Sequence, residues 1–171
     1  AQTVKVWDPL VRVFHWSLVT CFFGAYLLSD ENATWHQYLG YAALGLVTTR
    51  ILWGFVGSKY ARFSSFVPSA PKLLNYVKDV LAQREARSLG HNPLGGMMIL
   101  ALLLAVATIG ITGWMMSLDK FFGIEWVENL HVTVANLTLA LVGLHVAGVI
   151  FSSLRHKENL VRAMINGRKR Q

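Results

Sequence analysis

With 171 residues, 54% of them hydrophobic and 15% charged, and a mean hydropathy of +0.43, the chain suits one compact domain but is too apolar for an ordinary water-soluble one. A formal charge of +7 and a pI of 9.9 would fit a nucleic-acid binder, yet the basic residues form no reading face and no nucleic-acid motif. The single cysteine, Cys21, excludes an internal disulfide, and the lack of a CxxCH sequence excludes covalent haem attachment of that kind.

Four long apolar stretches stand out, at about residues 10–28, 36–56, 94–118 and 130–154. Each supplies about the 20 residues that a hydrocarbon core of roughly 30 Å demands of a helix. The first is introduced by Trp7-Asp8-Pro9, with the proline suited to a first helical turn and the tryptophan to the membrane interface. The segment before it lacks the short apolar core and small-residue cleavage site of a signal peptide, so this span is expected to be retained. A short turn around Ser29-Asp30-Glu31 leads to Trp35-His36 and the second span, which ends at Gly54-Phe55-Val56-Gly57.

The longest connection, residues 58–92, carries Leu73, Leu74, Val77, Val80 and Leu81 at helical spacing behind Pro71. A helix of about 15 residues is predicted there, too short and charged to span and therefore lying at the membrane surface. The third span is almost purely apolar and contains no histidine. The loop after it carries Phe121, Phe122 and Trp126, fit either to plug the bundle or to receive a partner. After the fourth span, Leu160, Val161, Met164 and Ile165 predict a last surface helix before a basic tail. The expected fold is an all-α membrane protein, a four-transmembrane-helix bundle with short cytoplasmic surface helices, formed by residues 1–171 as a single domain.

Charge orients this bundle. With the N-terminus in the cytoplasm, only Lys120 of the 16 lysines and arginines falls outside, alongside Asp30, Glu31, Asp119, Glu125 and Glu128. That is the positive-inside pattern, and it places both termini in the cytoplasm.

Ionisable residues within spans are expensive and functional by default. Here they are His15, His36, His131 and His145. His131 and His145 stand 14 residues apart, about 21 Å along a helix and within roughly 40° of one direction. One face of the fourth helix thus offers a histidine at each of two depths. His36 matches His131 at the outer level, and His15 matches His145 less closely at the inner one, where helix tilt has to absorb the difference.

Two imidazoles facing across a bundle fit the two axial positions of a haem iron, which makes all four histidines candidate haem-iron ligands and predicts two haems. For a single histidine the plainer reading is an interhelical hydrogen bond. Zinc is a further rival, but neither pair has a neighbouring cysteine or carboxylate to complete a tetrahedral set. Gly24, Gly40, Gly45, Gly143 and Gly148 are candidates for close backbone approach to a porphyrin, with ordinary helix contact as the alternative. Arg12, one turn before His15, and Arg50, 14 residues after His36, are candidate partners for haem propionates. For Arg50 the alternative is snorkelling to headgroups. His91 and His156 fall outside the spans and are expected to be solvated or interfacial.

WDPLVRVFHW at the start, WHQYLGYAALGLVTTRILWG in the second span and the His131-to-His145 spacing resemble the bacterial cytochrome b561 family, and within it the branch of nickel-iron hydrogenase b-type cytochrome subunits. The resemblance covers all four spans. It implies a di-haem b protein of the bacterial inner (cytoplasmic) membrane that carries electrons between a periplasmic or membrane-bound redox partner and the quinone pool. The ligands it implies coincide with His15, His36, His131 and His145. The expected partners are membrane lipid, a quinone, and a periplasmic cytochrome or other redox protein, with no nucleic acid. An electron-transfer cytochrome is favoured over a stand-alone oxidoreductase, and the alternative is a superoxide oxidase that reduces membrane quinone.

Overall fold

The computed structural model describes residues 2–171. In chain order its elements are β1 (Thr3–Lys5), α1 (Pro9–Leu27), α2 (Ala33–Val56), α3 (Phe63–Phe66), α4 (Ala70–Leu81), α5 (Pro93–Met116), α6 (Glu125–Arg155), α7 (Leu160–Asn166) and β2 (Arg168–Arg170). Four of them, α1, α2, α5 and α6, are long and apolar enough to cross a membrane. Many of their large side chains face outward, among them Leu27, Leu104, Leu144 and Leu154 at 62–75% exposure, a surface suited to lipid rather than water.

Polar caps set the helix starts. Asp8 Oδ1 accepts the Val11 amide at 2.9 Å and Pro9 takes the first helical position of α1. Asn32 Oδ1 accepts the Trp35 amide at 3.1 Å, so α2 begins at Ala33 and His36 lies inside its first turn rather than at its start. Asn92 caps α5 through the Gly95 amide at 2.7 Å. The fourth spanning helix starts at Glu125, five residues before the apolar run, because Glu125 and Glu128 suit the positive end of a helix dipole while masking it in a hydropathy reading.

The chain divides into two compact units, each built from separated segments. One comprises the N-terminal residues through Arg12, Leu52–Leu100 and Gly143–Gln171. In it β1 and β2 pair antiparallel, with Val4 opposite Lys169, and Val6, Trp7 and Ala163 form a small core flanked by Tyr60 and Met164. Asp8 Oδ2 accepts the Trp53 indole N–H at 3.2 Å and the Ser58 hydroxyl, which ties the start of α1 to the end of α2. Arg87 pairs with Glu158 at 2.8 Å, Lys169 with Glu158 at 3.4 Å and Arg155 with Glu85 at 2.9 Å. The basic tail is therefore a paired strand, with Lys169 only 5% exposed. Of the two places expected for His91, solvated or interfacial, the first does not hold, since it packs between the Trp7 and Phe66 rings at 4.5 and 4.9 Å.

The other unit comprises Val13–Ile51 and Ala101–Val142. Its helices meet through small residues and neutral hydrogen bonds. A side chain at Gly110 would sit 2.9 Å from Leu44, and one at Gly24 would sit 2.8 Å from Leu39, so both glycines permit close helix contact. The Tyr26 hydroxyl donates to Asn136 Oδ1 at 2.7 Å, joining α1 to α6. Phe122 in the turn between α5 and α6 and Trp126 in the first turn of α6 stand exposed, and it is Val127 that is buried.

Candidate functional site

The second unit brings two of the four singled-out histidines together. On α2, His36, Gly40, Ala43, Val47 and Arg50 follow one another at alternating steps of four and three, which at about 100° per residue keeps them on one face. Ala43, Val47 and Arg50 are buried at 7%, 1% and 2% exposure, so this is the inward face of α2. On α6 the corresponding stripe is His131, Thr138 and His145, seven residues apart, with Thr138 buried. The rings of His36 and His131 lie 6.0 Å apart between centroids, inclined at 68°. Two metal–nitrogen bonds of about 2 Å and two imidazole half-widths of about 1.1 Å span about 6 Å, so the centroid separation is the one that a metal ion held by both rings would need.

Hydrogen bonds fix which ring nitrogen of each is available. His36 Nδ1 lies 2.8 Å from the Ala25 carbonyl oxygen. A carbonyl only accepts, so Nδ1 carries a proton, and in the neutral ring the lone pair is then on Nε2. Ala25 belongs to the last turn of α1, where carbonyls lack intrahelical partners, so the histidine also caps that helix. His131 Nδ1 lies 3.0 Å from Thr112 Oγ1 on α5. With its one proton on the Thr108 carbonyl at 2.7 Å, the usual back-bond of a helical threonine, that hydroxyl accepts from His131 Nδ1–H. Both imidazoles are thus presented in the same tautomer, with Nε2 bare.

An interhelical hydrogen bond accounts for one nitrogen of each ring and leaves the other unexplained. Among the described residues no group of three or more histidine, cysteine or acidic side chains is placed to hold a metal ion, as a tetrahedral zinc site would require. A porphyrin supplies four nitrogens itself and needs only the two axial ones. Space supports that fit: a Cβ on Gly40, one turn from His36 on the inward face, would meet nothing within 4 Å.

Gly45 and Gly143 also face open space, but they sit about 180° from His36 and about 160° from His145 on their helices. Gly24 lies about 180° from His15 and packs on Leu39. Those three glycines therefore do not line the histidine faces, and Gly148, about 60° from His145, borders one.

His15 and His145 belong to different units, and their pairing rests on helix spacing. His15 stands edge-on to Trp16, with ring centroids 4.9 Å apart. Arg50 is covered by protein, at 2% exposure. Arg12 lies along Gly167, whose left-handed φ of 78° closes α7, and its Nε is buried with no hydrogen-bond partner among the described residues, a spare donor suited to an anionic oxygen. The reading from sequence missed Thr112 and the Ala25 carbonyl. Thr112 could have been found as a hydroxyl on the histidine-free span, one turn before its end.

Four apolar spans with two histidine rings brought together between them define a class, helical membrane proteins with a paired-histidine site. Comparison with known proteins is more specific: the chain belongs to the prokaryotic cytochrome b561 family, whose model matches residues 6–167. It is 28% identical to the Probable Ni/Fe-hydrogenase 1 B-type cytochrome subunit of Escherichia coli strain K12, over 95% of this chain and 88% of that relative. The protein of the same name from Escherichia coli O157:H7 matches equally. No solved structure matches the chain. The protein is a b-type cytochrome of membrane electron transfer with haem b as cofactor.

Proposed function

We propose that the protein carries electrons across the bacterial inner membrane through two haems b, exchanging them with a redox protein at one end and the quinone pool at the other. His36 and His131 are the axial ligands of the outer haem, and His15 and His145 those of the inner one. The observation that carries this reading is the 6.0 Å separation of the His36 and His131 rings, with each Nδ1–H engaged elsewhere and each Nε2 left for iron. The distribution of lysine and arginine supports cytoplasmic termini.

Haem iron supplies the one-electron couple when bound. The chain's own part is to hold each imidazole neutral and oriented, and to surround it with apolar spans that exclude water. Arg50 brings a buried guanidinium to the inner level of the same α2 face, where it balances a propionate, and Arg12 offers its Nε to another. The hydrogenase named in the relatives supports a redox enzyme as partner.

The test is a pyridine haemochrome count on purified, fully loaded protein, followed by mixing the reduced protein with a short-chain ubiquinone. Two haems b per chain and oxidation of both by the quinone are expected. Substantially fewer than two haems, or no electron exchange with quinone, overturns the reading. Quinol formation driven by superoxide alone, with no protein donor, would replace the relay by the superoxide oxidase.

A further inference from the structure

The spanning helix without a histidine contacts His131 twice. Thr112 Oγ1 stands 3.0 Å from His131 Nδ1, and a Cβ at the next residue, Gly113, would lie 3.2 Å from His131 Cε1. Thr112 is 3% exposed, in a span whose other buried side chains between Leu103 and Thr112 are apolar. Its hydroxyl is itself fixed, because its proton goes to the Thr108 carbonyl at 2.7 Å, with the Ile109 carbonyl at 3.0 Å. The acceptor for His131 therefore does not rotate freely.

The two histidines of this pair differ in one respect. His36 donates to a main-chain carbonyl, which no side-chain replacement removes, whereas His131 has, beside the Ile109 main chain, a hydroxyl that one substitution deletes. A hydrogen bond from Nδ1–H draws the proton away from the ring, enriches Nε2 in electron density and raises its basicity toward a metal. More electron donation favours the ferric state. A hydroxyl already donating its proton to a carbonyl is also a better acceptor than one that is not, since chains of hydrogen bonds polarise one another.

We propose that Thr112 is a positioning residue of the outer haem: through the Thr108 carbonyl–Thr112 hydroxyl–His131 chain it fixes the tautomer and ring plane of His131 and sets the midpoint potential of that haem alone. This deepens the ligand assignment above and rests on it. Gly113 belongs to the same device, since its lack of a side chain lets His131 approach α5.

The experiment compares Thr112→Val, which keeps the shape and removes the hydroxyl, with Thr112→Ser, which keeps the hydroxyl and removes the methyl. Each is purified as full-length, haem-loaded protein alongside His131→Ala, and read by haem count, spectroelectrochemical titration and low-temperature electron paramagnetic resonance of the ferric form. In Thr112→Val one midpoint potential rises and one ferric signal shifts while the other haem is unchanged, and affinity for that haem falls about tenfold. Thr112→Ser restores the wild-type potential and signal. Loss of one haem from Thr112→Val with retention in Thr112→Ser supports the same role.

Wild-type potentials in Thr112→Val, or equal changes in both variants, overturn the proposal. If His131→Ala keeps both haems, the ligand assignment itself fails. If His131→Ala loses one haem but Thr112→Val behaves as wild type, only the role of Thr112 fails.

Discussion

The two compact units keep their polar groups in opposite ways. The unit of Val13–Ile51 and Ala101–Val142 joins its helices by neutral hydrogen bonds, His36 to Ala25, His131 to Thr112 and Tyr26 to Asn136. The unit containing both termini relies on ion pairs, with Glu158 held between Arg87 and Lys169, and Glu85 held by Arg155. The difference follows from solvent. A charge within a hydrocarbon layer costs several kcal/mol, whereas a neutral donor–acceptor pair is tolerated there. Ion pairs become usable only in the segments outside the spans, where water is at hand.

The sharpest way to break this contrast is to remove a ligand. His36→Ala and His131→Ala should each abolish the same haem, and His15→Ala and His145→Ala the other, halving the haemochrome count in every case. Loss of one haem by His15→Ala and His131→Ala together would overturn the pairing. The next effect should come from Glu158→Ala. It leaves Lys169 and Arg87, whose side chains are 5% and 23% exposed, without their carboxylate, and should destabilise the terminal unit by about 3 kcal/mol with the haem count unchanged. A thermal melt in detergent followed by tryptophan fluorescence reads it.

Acid should act on the same unit in the same direction. Burial pushes the Glu158 carboxyl up, but Arg87, Lys169 and the Arg170 amide outweigh it and leave it below the usual 4.5. A depressed acid stabilises the fold above its ordinary value and loses that contribution as pH falls through the folded one. Melting should therefore hold steady down to about pH 5 and decline below 4.5. A decline beginning near neutrality would point instead to histidine.

Asp8→Ala removes a helix cap and the acceptor of two further hydrogen bonds, from Trp53 and Ser58, and should destabilise by about 2 kcal/mol in the same melt. The smallest change is expected of Arg84→Ala. Its pair with Asp79 is open to solvent, at 72% and 42% exposure, and should contribute about 0.3 kcal/mol, within the scatter of the melt.

The spans, the surface helix Ala70–Leu81 and the apposition of His36 with His131 were legible from residue order alone. Apolar length and the 3.6-residue period report directly on which faces avoid water. What escaped that reading depends on partners far apart in the chain. Lys169 looks like part of a solvated tail until Glu158 and the strand at Thr3–Lys5 are in place. Nothing in the composition of residues 85–93 tells that His91 inserts between Trp7 and Phe66. Thr112 was passed over for a related reason: a threonine in a helix ordinarily satisfies itself on its own backbone, and only the approach of α6 gives its oxygen a second task.

The bond from His36 Nδ1 to the Ala25 carbonyl makes the length of one turn part of the chemistry. Residues 28–32 act as a spacer that sets where the last carbonyls of α1 fall against the first turn of α2. Point changes in that spacer leave the carbonyl where it is. A residue inserted there would shift the first turn of α2 against the last carbonyls of α1, so a change in the turn, at no ligand itself, would behave as a ligand mutation.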